Sequence, residues 1–475
     1  MQKAGERTRT ICDYNAPSMQ QIIESATDGL PVSNDGPPSA ANYSLEAHRN
    51  LHRLQTVIRS ASLATSALVV ALPIYSNNFN ASGLEKGLLF AIPAFMMAIA
   101  RPIIGRSMDV YGRKLFLCLG VGILFVAMVL FIFAREFAIE LGGIVVRADA
   151  TFAVTMLFIA RTVQGVGLGT MLLSSYTITA DLARQTGRGS SFGYTEEAQY
   201  RGGLYGGLVA LPILVLFGFD PTHGLQLNQT VWSIVFVVYA LGALIAFVLA
   251  LHSIPETRPY ALIEAQHEET VRQKIDPQLY VLMAIVMLTT ASSYGLAPFI
   301  LVFIQDHLTQ NLLLIGMAYV PAALIWAFLP SRLGRVSDRV GRKPPIAVGL
   351  TMSGLFSLTI PFLSMVFPSI SLAIAALMIF ATVEAVCYAA AVPAEQAMVA
   401  DMTGGQQRGI GFGLYTLAQS TGQVFGPLVM GVLYDWDRSG PFLANAVILI
   451  IGSLLVISFL QDPARRRRSF ASAGK

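Results

Sequence analysis

The chain of 475 residues has few charged side chains and few of the residues that build soluble metal or disulfide sites. Charged residues make up 13% of the sequence, whereas hydrophobic residues make up 54%. Soluble domains average about 25% charged residues, and a soluble core cannot hide so much apolar surface. The three cysteines and six histidines are scattered, which argues against a disulfide framework or a metal centre. The composition therefore indicates a membrane protein.

Nucleotide-binding motifs are also missing. The sequence contains no G-x-x-x-x-G-K-[ST] loop, so no motif supports ATP as an energy source. We expect no cofactor, no metal and no nucleic-acid partner. A membrane-embedded enzyme or receptor remains a remote alternative.

Apolar runs dominate the chain. A bilayer core of about 30 Å needs about 20 helical residues, and twelve runs reach that length. They predict an all-α polytopic membrane protein with lipid as its surroundings. We number them segments 1 to 12, with approximate bounds 56–78, 86–105, 115–135, 151–177, 190–217, 231–252, 278–303, 312–332, 345–366, 371–399, 410–434 and 441–461.

Polar stretches separate these segments into two groups of six. We expect a six-helix bundle at 54–252, which we call the first half, and another at 278–461, the second half. A linker at 253–277 joins them. The stretch at 1–53 is rich in Ser, Asn, Pro and Gly and predicts a disordered tail, and 462–475 is a basic tail.

Lysine and arginine are distributed unevenly between the two sides of the membrane. If both termini are cytoplasmic, four of the 32 basic residues lie in outer connections. Three more (Arg101, Arg161 and Arg201) lie inside segments, and the other 25 lie on the cytoplasmic side. This asymmetry predicts cytoplasmic termini.

Two stretches of the first half recur in the second half. GRSMDVYGRK at 105–114 matches GRVSDRVGRK at 334–343 in six of ten positions. The 22 residues at 188–209 match 408–429 in ten positions, and Ala180-Asp181 matches Ala400-Asp401. The offset changes from 229 to 220, which places nine extra residues in the first half, most simply around 136–150. The chain is therefore internally duplicated.

These motifs identify a family resemblance. The repeated G-x-x-x-D-x-x-G-R-K loop resembles the signature of the major facilitator superfamily, over roughly residues 54–461. The resemblance implies two pseudo-symmetric bundles around a central substrate cavity and transport by alternating access. It also implies a latch on the cytoplasmic side, to which we assign Gly105, Asp109, Gly112, Arg113, Gly334, Asp338, Gly341 and Arg342.

Segment 4 carries the string RTVQGVG, which begins at Arg161 and is similar to a motif of the drug:proton antiporter branch. The resemblance implies that Arg161 influences the protonation of a nearby acid. Arg161 and Gln164 are one turn apart and share a helix face. An arginine that extends to the membrane surface is the structural alternative.

Acids inside membrane segments are costly and usually functional. Glu384 is equivalent to Gln164 at the offset of 220, so we expect it near the same cavity, where it would load protons. In segment 5, Glu197 and Arg201 are spaced to form an intrahelical ion pair, and Glu196 points elsewhere. Either glutamate relays protons, or one binds an arginine of the latch.

Glycines in segments 5 and 11 predict close helix packing or bending; we assign this role to Gly202, Gly206, Gly426 and Pro427. Segment 1 has no acid, unlike many antiporters of the branch, so any proton coupling rests on Glu384, Glu196 and Glu197.

Proton-coupled efflux of small amphipathic organic molecules is the leading functional prediction, by a monomer in the plasma membrane. The alternative is a proton-coupled symporter that takes up a polar nutrient such as a sugar or an organic acid. Hydroxyl groups that would line a cavity suit that alternative; they belong to Tyr75, Ser292, Ser293, Tyr294 and Tyr388.

Overall fold

A computed structural model of the protein describes residues 40–66, 68, 83–141, 144–183, 187–216, 229–258, 276–309, 312–403 and 407–462. Its helices are α1 (Ala40–Ser66), α2 (Gly83–Tyr111), α3 (Arg113–Phe133), α4 (Ala150–Leu182), α5 (Arg188–Leu216), α6 (Gln229–Ser253), α7 (Pro277–His307), α8 (Leu312–Phe328), α9 (Pro330–Val340), α10 (Lys343–Thr359), α11 (Leu363–Val366), α12 (Ile370–Met402), α13 (Arg408–Trp436) and α14 (Gly440–Phe459). The predicted helical membrane fold is confirmed.

Seven stretches of the described helices are long and apolar enough to cross a bilayer; they lie in α3, α4, α6, α7, α10, α12 and α14, with the α10 stretch running on to Phe362. Large apolar side chains on these helices are exposed, as lipid contact requires, for example Leu241 at 54% and Ile245 at 55%. The more polar helices α2, α5, α9 and α13 pack against one another, α2 on α13 and α5 on α9. Part of their polar surface therefore faces protein, whereas Arg106 of α2 and Arg332 and Arg335 of α9 are exposed.

Helix α1 begins earlier than the sequence predicts. Its apolar side chains recur every three or four residues, and Ala47, Leu51 and Leu54 are buried, so one face packs against protein. The predicted disordered tail at 1–53 is therefore corrected at 40–53, which is helical. Met1–Glu46 forms a separate unit, of which the helical residues from 40 onward are described. Residues 1–39, 259–275 of the linker and 463–475 of the basic tail lie outside the described residues.

A β-hairpin interrupts the helical architecture between α3 and α4. Strands β1 (Phe137–Leu141) and β2 (Ile144–Ala148) pair antiparallel, with Phe137 opposite Ala148. The hairpin lies where the change of repeat offset places the extra residues of the first half. A two-stranded hairpin satisfies the backbone hydrogen bonds of this connection locally.

One buried cluster joins residues from both halves. Phe192 of α5 and Phe412 of α13 are both fully buried, and their ring centroids lie 5.5 Å apart. Tyr176 of α4 packs on both rings, at 6.5 and 6.0 Å. Phe192 and Phe412 occupy equivalent positions in the two copies of the repeat, so the contact joins matching points of the two halves.

Glycine allows the backbones of helices from the two halves to touch. A Cβ added at Gly105 of α2 would lie 2.6 Å from the carbonyl oxygen of Gly409 of α13, whereas one added at Gly207 of α5 would meet nothing within 4 Å.

Gly105→Ala should therefore push α2 and α13 apart and lower the free energy of unfolding by about 1–3 kcal/mol. Gly207→Ala should be neutral or slightly stabilising, because alanine favours helix by about 1 kcal/mol. Thermal unfolding of both variants in detergent tests this, and equal shifts would contradict the packing role of Gly105.

Candidate functional site

Asp109, at the end of α2, lies on the first turn of α13. Its carboxylate accepts hydrogen bonds from the backbone N–H groups of Gly409 and Ile410, each 3.1 Å long. The first N–H groups of a helix have no intrahelical partner and carry partial positive charge. One carboxylate therefore satisfies two N–H groups and joins the two halves.

Asp338 repeats this arrangement between the other pair of helices. It lies at the end of α9 and accepts hydrogen bonds from Gly189 (2.9 Å) and Ser190 (3.0 Å) at the start of α5. The two contacts are reciprocal, since each half supplies one carboxylate and one helix N-terminus. We call the end of the molecule that holds both contacts the loop end.

Buried arginines connect each of these aspartates to a second one. Arg113 binds Asp109 (3.2 Å) and Asp181 (3.0 Å), and Arg408 of the second half also binds Asp181 (3.1 Å). All four side chains are at least 89% buried. Removing one member of a buried ion pair typically costs about 3–5 kcal/mol, because the other charge is left buried.

The second half holds the matching cluster. Arg342 binds Asp338 and Asp401 (2.5 and 3.0 Å), and Arg188 of the first half binds Asp401 (2.7 Å). Identity between the repeats marked Asp181 and Asp401 in the sequence but gave no role for them. Their partners lie on other helices, so spacing along the chain could not reveal the pairs.

The charge of Asp109 is set by opposing effects. Asp109 lies four residues beyond predicted segment 2. Burial raises the pKa of Asp109 to about 6, against the lowering effects of Arg113 and of the N–H groups of Gly409 and Ile410. The carboxylate is therefore mostly ionised at pH 7, the form that accepts both hydrogen bonds.

The glycines of the repeated loops have positive φ, 100° at Gly112 and 103° at Gly341, which favours glycine. A carboxylate lies against each: Glu256 accepts a 2.8 Å hydrogen bond from the N–H of the residue after Gly112, and Asp462 accepts one of the same length after Gly341. An added Cβ would clash with these carboxylates. The loops thus need glycine for both conformation and space.

Arg161 and Gln164 bind each other, on the shared helix face that the sequence predicts. The Arg161 Nη1 donates to Gln164 Oε1 (2.6 Å), and its Nε donates to the carbonyl oxygen of Leu89 on α2 (2.7 Å). Glu384 is held elsewhere: it accepts a 2.8 Å hydrogen bond from Ser353 of α10. The expectation that Arg161 and Glu384 share one cavity stays a prediction.

The two glutamates of α5 have different partners. Glu197 forms the predicted ion pair with Arg201 (2.6 Å) and also accepts from the backbone N–H of Ser331 in α9 (2.8 Å). Glu196 accepts from Gln396 of α12 (2.6 Å) and Tyr176 of α4 (3.3 Å). Both glutamates therefore contact the second half, Glu197 as a member of an ion pair with Arg201 of its own helix and Glu196 through neutral groups alone.

Sequence reasoning gave no role to two buried charges, Arg101 and Glu395, or to Gln396, which binds Glu196. Glu395 of α12 is 7% exposed and accepts from the Tyr415 hydroxyl (3.4 Å). Arg101 of α2 is 3% exposed and binds α13. Gln396 follows Glu395. The position of Arg101 and Glu395 inside apolar runs of the sequence is the signal that could have identified them.

The predicted cavity hydroxyls fall into two groups. Ser292 is buried and donates to Asn445 of α14, a contact between helices of one half. Tyr294 is 56% exposed and lies in electrostatic range of Arg101 and Glu196, while Tyr388 is partly buried near Glu395, Glu384 and Tyr294. Ser293 is partly buried beside Tyr294, and Tyr75 lies outside the described residues.

The glycines assigned to bending make close helix contacts. Gly202 and Gly206 of α5 face the backbone of α1 at Arg59 and Leu63, and Gly426 of α13 faces the backbone of α7 at Ala291. Pro427 follows within α13. These positions allow close packing within each half, and bending stays a prediction.

Comparison with known proteins agrees with this architecture. The family model of the Major Facilitator Superfamily matches residues 58–380 and 333–475. The sequence is 26% identical over 425 residues to Multidrug resistance protein 1 of Bacillus subtilis (strain 168), which covers 88% of this chain and 97% of that protein. It is 22% identical over 414 residues to the Quinolone resistance protein NorA of Staphylococcus aureus, over 85% of this chain and 94% of that protein.

The fold is also similar to a solved transporter. The structure of the proton:xylose symporter XylE superposes with a TM-score of 0.65 and 17% identity, covering 89% of this chain and 97% of that chain. At this identity the similarity shows a common fold alone.

Each aspartate at the loop end holds a helix of the opposite half, so replacing one aspartate should raise hydrogen exchange at that helix and not at the other. Asp109→Asn removes the charge that holds the Gly409 and Ile410 amides, so exchange at the start of α13 should rise at least about tenfold, since hydrogen bonds to charged groups contribute about 1.5–3 kcal/mol. Asp338→Asn should do the same at the start of α5. Exchange measured by mass spectrometry makes each variant the control for the other. Equal increases at both helices, or none, would contradict the assignment.

Proposed function

We propose that this chain, which belongs to the Major Facilitator Superfamily, exports small amphipathic organic molecules in exchange for protons. The names of the relatives from Bacillus subtilis and Staphylococcus aureus support efflux and drug-like substrates. The R-x-x-Q-G-x-G string of α4 supports the antiporter branch. The protein works as a monomer in the plasma membrane and takes its energy from the proton gradient.

The observation that carries the proposal is the contact of Glu196 with Gln396 of the other half and with Tyr176 of its own half. Among the described residues, the hydrogen bonds of this carboxyl group are with neutral groups. A buried carboxyl group without a cationic partner is costly when charged. Separation of α5 from α12 exposes it to water, so proton uptake and release accompany the movement of the halves.

Glu384 is the second proton carrier in this mechanism. It is partly buried in α12, and Ser353 supplies a neutral hydrogen bond. Arg161 and Gln164 lie in the matching position of α4 and tune protonation in the first half. Glu197 holds α5 against α9 and orients the adjacent Glu196.

The loop end is the cytoplasmic end and closes as a latch. The repeated loops are rich in basic residues, which favours a cytoplasmic position. We therefore place these loops and both termini in the cytoplasm. When Asp109 and Asp338 hold the opposite helices, the cytoplasmic side is shut. Their release opens the cavity to the cytoplasm, which gives alternating access.

Flux through the purified protein tests the proposal. Proteoliposomes loaded with the fluorescent cation ethidium should exchange it against an imposed proton gradient, and the ionophore nigericin should abolish that exchange. Each proton moved across 100 mV provides about 2.3 kcal/mol, enough for about fiftyfold accumulation. Movement of a polar nutrient together with protons would instead support symport, and flux that ignores the gradient would contradict proton coupling.

Neutral variants of the two proton carriers should uncouple transport. Glu196→Gln and Glu384→Gln should each reduce gradient-driven efflux at least about tenfold, while exchange of substrate for substrate continues, because no net proton moves in that reaction. Glu136→Gln, at an exposed position outside the helices, is the matched control and should behave as wild type. Gradient-driven efflux at the wild-type rate in either carrier variant would remove that residue from the mechanism.

A further inference from the structure

Arg101 connects the halves one turn before the close contact of Gly105 with Gly409. Its Nη1 donates to the carbonyl oxygen of Thr416 and to the hydroxyl of Ser420, both at 2.6 Å. Both partners belong to α13 of the second half, and both are neutral. The side chain is 3% exposed, so its charge is held by the contact between the halves.

The other edge of the guanidinium has little to bind. Its Nε is buried and has no hydrogen-bond partner among the described residues. Its Nη2 contacts only the thioether sulfur of Met97, at 3.5 Å on the same helix, and such sulfur is a weak acceptor. Nε and Nη2 form the edge that binds a carboxylate through two parallel hydrogen bonds.

This arginine differs from the buried arginines of the loop end. Those four each bind an aspartate within 3.2 Å. Across the described parts of the chain, no ion pair involves Arg101. The buried acids Glu196 and Glu395 bind Gln396 and Tyr415. A buried cation without an anion is costly in a membrane protein and is usually functional.

Hydroxyl groups surround the site. Arg101 lies in electrostatic range of Tyr176, Tyr294 and Tyr415. Tyr294 is 56% exposed. Guanidinium and phenol groups together suit a planar anion attached to an aromatic or apolar body.

We propose that Arg101 binds the carboxylate of the transported molecule, and that substrates therefore include amphipathic organic acids and zwitterions. This substrate class rests on the proposed efflux function. When α2 and α13 separate, Arg101 Nη1 loses Thr416 and Ser420, and the substrate carboxylate binds the Nε–Nη2 edge. When the helices close again, Thr416 and Ser420 return to Nη1 and the carboxylate is released.

A matched pair of compounds tests the site. Norfloxacin is a quinolone with a carboxylate, and its ethyl ester lacks the negative charge of that group. The flux of each compound is measured in proteoliposomes that contain wild type, Arg101→Gln or Arg101→Lys. We expect Arg101→Gln to reduce norfloxacin transport at least about tenfold and to leave ester transport within about twofold of wild type. Norfloxacin transport by Arg101→Lys should lie between that of wild type and that of Arg101→Gln. Lysine keeps the positive charge but cannot form two parallel hydrogen bonds with a carboxylate.

The outcomes separate this inference from the proposed function. Loss of norfloxacin transport alone supports the carboxylate site, whereas equal effects on both compounds overturn it. If wild type moves neither compound, the efflux of such drugs fails, and calorimetric binding to the purified proteins decides the site. Norfloxacin binding that is about tenfold weaker in Arg101→Gln then supports it, and equal or absent binding overturns it.

Discussion

Two carboxylates, each on the N-terminus of a helix from the opposite half, are the contacts on which the rest of this structure depends. Asp109 on α13 and Asp338 on α5 bring the glycines of the repeat into backbone contact. The arginine–aspartate clusters behind them fix the orientation of each carboxylate. Such contacts have two discrete states, formed or broken, because a helix N-terminus that loses its carboxylate must find water instead. This suits the separation and rejoining of the halves that we propose.

The partners of the buried charges differ between two regions. At the loop end, every described buried aspartate of the clusters binds an arginine. Nearer the middle of the helices, Glu196, Glu384 and Glu395 are bound by amide or hydroxyl groups, and Arg101 by a carbonyl and a hydroxyl. Full charge pairing suits a contact that must be specific and strong. Neutral partners suit the roles in proton exchange and substrate binding that we propose for Glu196, Glu384 and Arg101.

Much of this follows from the sequence, because duplication and local spacing are visible there. The repeated decapeptide identifies Asp109 and Asp338, the change of offset locates the hairpin, and i,i+3 or i,i+4 spacing anticipates the pairs Arg161–Gln164 and Glu197–Arg201. Contacts between distant helices are not visible in one sequence. The helix N-termini that hold the aspartates, the Glu196–Gln396 hydrogen bond and the binding of Glu384 by Ser353 all depend on tertiary packing. The sequence predicts too late a start for the first helix, because the first turns of α1 are amphipathic and contain many polar residues.

The central claim is that the two halves are held together at the loop end by the reciprocal carboxylates and part there during transport. Val110 and Val340 are exposed residues at that end, one in each half, and suit nitroxide labels on introduced cysteines after the three native cysteines are replaced by serine. Electron–electron distance measurements should give a short label separation in the wild-type background and a second, longer population when Asp109→Asn and Asp338→Asn are combined. Identical distance distributions with and without the two aspartates would contradict the account.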